Sequence, residues 1–394
     1  MDWDESPGKA GTNVSLIPYA LSGYQADYEN QEESIAPNAG MDAKIAVTSA
    51  LNLDLTVNPD FSQVEVDRQV TNLSRFNLFF PERRQFFIEN SDLFSNFGFS
   101  RIRPFFSRRI GLSQGQPVPI LAGARLSGKL NEKWRIGLLN MQTEGVTELN
   151  EKPQNYSAAV FQRQAGAASN VSAIFVNRQG FSGNRPNPND YNRVAGLEFN
   201  FRSKDERFRG KGFFQHSFDD ENNPRQTANA VWSRYADRNW TIDYNHEWVD
   251  ENFNAEIGFN PRQRYFRLEP VLRYRFWPEK SKRIISHGPR GYMSYYWDNI
   301  TWSSIERQTA WNYSVQFSDR SEIRAGMTNW FVELQRPFDP SGSGATPLPT
   351  GSAYNWTLGF LDYSSDFRKK FNYSAFVNYG GYLSGIKLTY GGGI

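Results

Sequence analysis

An all-β chain of antiparallel hairpins, closing as a transmembrane β-barrel of about 16 strands, is the fold class that three observations predict. Apolar and polar residues alternate at period two over strand-sized segments. Aromatic side chains make up 15% of residues while the hydrophobic total is only 39%, so the rings must be spread one face at a time. No stretch approaches the ~18 consecutive apolar residues of a membrane-spanning helix. Barrel strands carry alternation alone and escape that test.

The order along the chain predicts three regions. Residues 1–57 form an N-terminal segment with a first strand near residues 44–57. Residues 58–119 lack sustained alternation and mix rings with charges, as in FNLFFPERRQFFIENSDLF and RPFFSRRIG. Such a stretch reads as an insert that folds into a barrel lumen or under one rim. An arginine at mid-depth on a lipid face would cost roughly 2–4 kcal/mol, and phenylalanines left in water would expose a large apolar patch.

Residues 120–394 supply the hairpins. Trp311, Tyr313, Val315 and Phe317 alternate with Asn312, Ser314 and Gln316. Trp240, Ile242, Tyr244, His246 and Trp248 alternate with Thr241, Asp243, Asn245 and Glu247. The pattern returns at Leu197, Phe199 and Phe201, at Tyr354, Trp356, Leu358 and Phe360, and at Phe371, Tyr373, Ala375, Val377 and Tyr379. The rings are expected toward lipid. Asp243, Asn245, Glu247, Asn312 and Gln316 are expected toward the lumen. Trp240 and Trp248 stand eight residues apart, ~26 Å along a strand, close to the ~25 Å apolar band that aromatic girdles flank once tilt is allowed for.

Connections strengthen the prediction. Residues 131–133, 165–170, 203–207 and 236–238 read as short turns. Residues 144–155, 180–191, 219–225 and 250–263 read as longer loops, so tight and long connections alternate as on the two rims of an outer-membrane barrel. Residues 278–290 break that rule by their length, and 336–352, rich in Pro, Gly and Ser, restore it.

Charge and composition limit the chemistry. Forty-four basic and 42 acidic residues leave a net charge of +2, so no nucleic-acid partner is indicated. The absence of cysteine removes disulfides and thiolate sites. Three scattered histidines, His216, His246 and His287, lack metal-ligand spacing. No cofactor, no metal and no catalytic constellation is expected, and the chain reads as not an enzyme. The carboxylates Asp54, Asp60, Glu65 and Asp67 are candidates for a cation or acid–base site. Their simpler reading is pairing with Arg83, Arg84, Arg108 and Arg109. Glu82, Arg83, Arg84 and Glu89 are the charged members of the run that would fix the insert to the wall.

Three blocks carry a family resemblance: NPDFSQVEVD at residues 58–67 after LNLDLTV, NLSRFNLFFPERRQFFIEN at 72–90, and FFSRRIG at 105–111. On these blocks the chain resembles the bacterial outer-membrane family catalogued as domain of unknown function 5916. That resemblance implies a β-barrel in the outer membrane of a Gram-negative-type bacterium, usually preceded by a secretory signal and a module like a carbohydrate-binding domain. Neither is found in this sequence, and the ending YGGGI lacks a terminal aromatic, so truncation at both ends is expected. The expected roles are a pore or transport-type barrel, or a plugged structural or assembly scaffold; a soluble all-β carbohydrate-binding protein is the third alternative. Outer-membrane lipid, a periplasmic or cell-surface partner and a saccharide ligand are the partners to be weighed.

Overall fold

Period-two alternation forces the backbone into strands, and in the computed structural model strand makes up 63% of the described residues and helix 4%. The structure describes residues 13–27, 32–59, 79–113, 115–166, 168–340, 342, 344 and 346–394. Before the insert lie β1 (Val14–Asp27), β2 (Glu32–Thr48) and β3 (Leu51–Val57). The predicted first strand at 44–57 is therefore a hairpin, turned at Ser49 and Ala50. The insert holds α1 (Gln85–Ile88), α2 (Asp92–Ser95) and a small ribbon of β4 (Leu112–Ser113) and β5 (Gln116–Pro117).

The hairpin series begins with β6 (Ile120–Lys129), β7 (Trp134–Thr143), β8 (Gln154–Ala165), β9 (Ser169–Ser182) and β10 (Arg185–Arg202). It continues through β11 (Phe208–Asp219), β12 (Thr227–Ala236), β13 (Trp240–Val249), β14 (Tyr265–Leu268) and β15 (Val271–Tyr274). It ends with β16 (Ile284–Trp297), β17 (Ser304–Phe317), β18 (Glu322–Glu333), β19 (Ala353–Ser364), β20 (Ser374–Tyr382) and β21 (Gly385–Gly393). The short elements β14 and β15 both lie between β13 and β16. They are halves of one strand parted at Glu269 and Pro270, because proline has no N–H for the ladder.

One sheet of 19 strand segments results, 18 strands once β14 and β15 count as one, against the expected figure of about 16. The surplus lies at the N-terminus, where the polar, proline- and glycine-containing stretches of β1 and β2 hide the alternation that is plain in β3. Consecutive strands pair antiparallel throughout, and β3 reaches β6 across the insert. Among the described residues β1 pairs with β2 alone and β21 with β20 alone.

The turns alternate between two rims. One rim carries compact turns such as 130–133, 203–207, 237–239 and 318–321; the other receives the insert and the long connections 250–264 and 334–352. Two expectations about loop length fail. The stretch 180–191 is a hairpin extension, with β9 and β10 joined by Gly183 and Asn184 and a register shift between Pro186 and Tyr191. The connection expected over 278–290 shortens because β16 already begins at Ile284.

Burial shows which side of the sheet is which. On β13 the apolar Trp240, Ile242 and Tyr244 are 39%, 43% and 43% exposed, while Asp243, Asn245 and Glu247 are 8%, 7% and 5% exposed. The side bearing the polar residues also bears the insert, so we term it the insert face and its opposite the free face. On β17 Trp311 and Tyr313 are exposed on the free face, with Asn312, Ser314 and Gln316 half-buried on the insert face. Strand β19 reverses the expectation. Its Trp356 lies opposite Trp330, which lies opposite Gln308 and, through it, buried Ser294. Tyr354, Trp356, Leu358 and Phe360 therefore line the insert face. Alternation defines two faces but not their sense, which only register supplies. Phe371 and Tyr373 precede β20, so they and Tyr379 do not flank one strand.

The apolar core lies between the insert and the strands it covers. Phe87, Leu93, Phe94, Phe97 and Ile102 of the insert meet Leu139, Met141, Val160 and Ile174 of the wall. The connection 250–264 joins them from the far side with Phe253 and Ile257. Gly137 of β7 permits the closest approach: a Cβ there would stand 2.7 Å from Cζ of Phe94 on α2. Gly137→Val should therefore overpack the core and cost about 1–3 kcal/mol, read as a lowered midpoint in urea unfolding. An unchanged midpoint would mean that α2 is not seated on β7.

Candidate functional site

Short helices separated by rings cannot hold an insert in place by backbone pairing, so its charged side chains do so. Glu82 is the hub. Its carboxylate accepts hydrogen bonds from Nε and Nη2 of Arg84 at 2.9 and 2.7 Å, from Oγ of Ser107 at 2.7 Å, and from the amides of Arg83 and Arg84 at 3.0 Å each. Arg84 donates onward to the carbonyls of Ile110 and Ser107, both at 2.8 Å, and lies over the Phe87 ring at 4.3 Å. Burial pushes the Glu82 carboxyl up, but Arg84 and Ser107 outweigh it and hold the group below the usual carboxylate value. Burial alone lowers the pKa of the Arg103 and Arg108 guanidiniums.

Several ties join this unit to the wall. Arg125 of β6 donates to Asp54 of β3 from Nε at 3.1 Å and Nη2 at 2.7 Å, and its Nη1 binds the Phe86 carbonyl of the insert. Arg135 of β7 grips Asp92 of α2 at 2.8 and 3.1 Å. Lys211 of β11 reaches the carbonyls of Asn96 and Gly98 and lies 3.2 Å from Glu198, which accepts the Gly98 amide at 2.7 Å. Backbone bonds between Arg103 and Phe259, and from the Phe106 amide to the Ile257 carbonyl at 2.6 Å, clasp the insert to the connection 250–264. The sequence presents that connection as an outward loop; its alternate Phe253, Ala255, Ile257 and Phe259 turn inward instead.

The predicted residues fall into two groups. Glu82 and Arg84 come together, and Glu89 pairs with Lys44 of β2. Arg108 is buried and donates to the Pro81 carbonyl at 3.1 Å, while Arg83 and Arg109 are exposed. Asp54 does not meet any of the four arginines expected for it; Arg125 takes that place. Asp60, Glu65 and Asp67 lie outside the described residues. On the wall, Asp243 pairs with Arg234, and Glu247 with Arg267 at 2.9 Å and the Tyr265 hydroxyl at 2.9 Å. Asn245 donates to Glu269 at 2.9 Å. Asn312 and Gln316 continue this polar face, and Gln316 accepts from Ser286 at 3.4 Å.

Arg125, Arg135 and Lys211 escape a reading by local motif, although each is a long cation in an alternating strand at a position facing the polar side. Among the described residues no three His, Asp or Glu side chains converge in a metal-holding group. The arrangement provides fixed, mutually neutralised charges and hydrogen-bonding groups along one face of a sheet. A comparison with family models matches residues 10–391 to the one described as Domain of unknown function (DUF5916). A search of the curated proteins finds no match.

Proposed function

The chain belongs to the DUF5916 family, and on that premise we propose that it is an outer-membrane β-barrel forming a solute passage, narrowed by its insert, in a Gram-negative-type bacterium. The observation that carries this reading is the inverted polarity of β13, with rings exposed and carboxylates buried. A soluble sandwich buries its rings and exposes its charges. The aromatic clusters of the free face add support. At the compact-turn rim Trp240, Tyr274, Phe276, His287 and Tyr313 form a chain of ring contacts of 4.6 to 5.8 Å. Toward the other rim Trp248, Phe266, Trp297 and Trp302 form a second group with contacts of 5.7 to 6.0 Å. Two such groups at the two ends of the strands suit the two interfaces of a bilayer.

A passage is preferred to a filled scaffold because the insert covers one side of the wall. On the insert face of β18–β21, Arg324, Phe376 and Lys387 remain exposed. No catalytic role is proposed, since the buried carboxylates are engaged by basic side chains, hydroxyls and amides.

Single-channel recording of the purified chain in a planar bilayer tests the reading. Discrete conductance steps are expected; a silent membrane would favour the filled scaffold. Met327→Arg gives a second check, because Met327 is exposed at the middle of the free face of β18. In lipid it should lose roughly 2–4 kcal/mol, whereas on a water-exposed surface it would change stability by no more than about 0.5 kcal/mol. A monomer that stays soluble without detergent, and tolerates this substitution, would establish the soluble rival.

A further inference from the structure

Arginines stand directly against arginines on the insert face close to the compact-turn rim. Register places Arg202 of β10 opposite Arg209 of β11, and Arg209 opposite Arg234 of β12. Beyond β13, Arg273 of β15 lies opposite Arg290 of β16. Their side of the sheet is fixed by neighbours: Arg234 faces buried Asp243 across the β12–β13 ladder, and Arg273 faces Thr241, two residues from Asp243 on the same face. Like charges in opposed positions destabilise a sheet. Strands ~4.8 Å apart hold neighbouring guanidinium groups within each row in reach of one small ligand.

Compensation by carboxylates is thin. Asp243 engages Arg234. Arg202 has Glu206 at 3.7 Å, in the exposed turn. Among the described residues Arg209, Arg273 and Arg290 form no ion pair; Arg209 lies 5.7 Å from the Trp232 ring and Arg290 5.5 Å from that of Tyr292. Around Arg273 the charged neighbours are Arg275, Arg290 and the carboxylate Glu322. The described acids of the insert, which enters from the opposite rim, lie elsewhere: Glu82 on Arg84, Asp92 on Arg135 and Glu89 on Lys44. Elsewhere on the face acids match bases, as in Arg125 with Asp54 and Arg267 with Glu247 and Glu269.

We propose that these arginine rows bind oxyanions, so that the solutes taken through the passage carry phosphate or carboxylate groups. Guanidinium presents a planar fork of donors that matches both groups, and a bound anion would neutralise contacts otherwise repulsive. The ligand class rests on the passage reading for its physiological meaning; the binding itself does not.

Two measurements on the full chain separate the two. In detergent, inorganic pyrophosphate should raise the thermal midpoint of the parent well above sodium chloride at matched ionic strength. The double variant Arg209→Gln with Arg290→Gln should lose that difference, yet be at least as stable as the parent in anion-poor buffer, because repulsion has been relieved. In a planar bilayer under a tenfold potassium chloride gradient, the reversal potential of the parent should show anion preference, and the variant should reduce the anion-to-cation permeability ratio at least two-fold. Equal stabilisation by pyrophosphate and sodium chloride would overturn the proposal, since screening alone gives that result. So would a variant that binds pyrophosphate as the parent does. If pyrophosphate binds specifically while the bilayer stays silent, the anion site stands and the passage falls.

Discussion

Arg125→Met should destabilise the protein by about 3–5 kcal/mol, the usual consequence of stranding one member of a buried ion pair. Asp54 would keep its charge in a site only 7% exposed, and the Phe86 carbonyl would lose its donor. Because Arg125 joins β3, β6 and the insert, the loss should also release residues 79–113 from the wall. Limited proteolysis should then cut within the insert of the variant and not of the parent. Combining Arg125→Met with Asp54→Leu should recover much of the stability, because no unpaired charge is left, yet leave the insert looser. Equal unfolding midpoints for parent and Arg125→Met would show that apolar packing alone docks the insert.

The second large effect concerns acid. Glu82 has its carboxyl pKa lowered in the fold from the ordinary 4.5. A depressed folded value means that the stabilisation is complete above the unfolded value and disappears as pH falls through the folded one. The parent should therefore lose stability progressively below about pH 4.5, as the Glu82 to Arg84 pair is protonated apart. Glu82→Gln should cost about 3–5 kcal/mol at neutral pH and flatten that part of the pH profile. Arg84→Ala should behave similarly, while Arg83→Ala, altering an exposed side chain, should change stability far less. Parallel pH profiles for the parent and Glu82→Gln would remove Glu82 as the hub.

Local patterns were readable and long-range ones were not. The faces of β13 and β17 follow from alternation in ten or so residues, and the Glu82 to Arg84 contact follows from two positions in one run. Asp54 with Arg125 is different. Its members are 71 apart in sequence, and nothing in either neighbourhood favours this arginine over the four insert arginines expected for Asp54. The aromatics of β19 take the insert face against expectation because a ring can serve a lipid face or a water-facing wall, and the period is the same for both. Residues 180–191 look like a loop because Pro, Asn and Asp favour turns; the ladder is interrupted at 187–190 and resumes at Pro186 and Arg185, turned at Gly183 with a φ of 61°. The connection 250–264 looked like an outer loop for a related reason. Its inward alternation spans a few residues that form no strand.

The β3–β6 pairing also dictates an order of assembly. Sequence-neighbour hairpins keep contact order low for so large a sheet, and each can zip from a turn of a few residues. Val57 instead waits for Ala122; closing that loop costs about 2–3 kcal/mol more in chain entropy than closing a turn of about four residues. Packing of the insert on β6–β11 must recover that cost, so β1–β3 find a stable partner only after the central strands have formed a surface. Strands β1–β3, made before the hairpin series, are thereby the last to be secured.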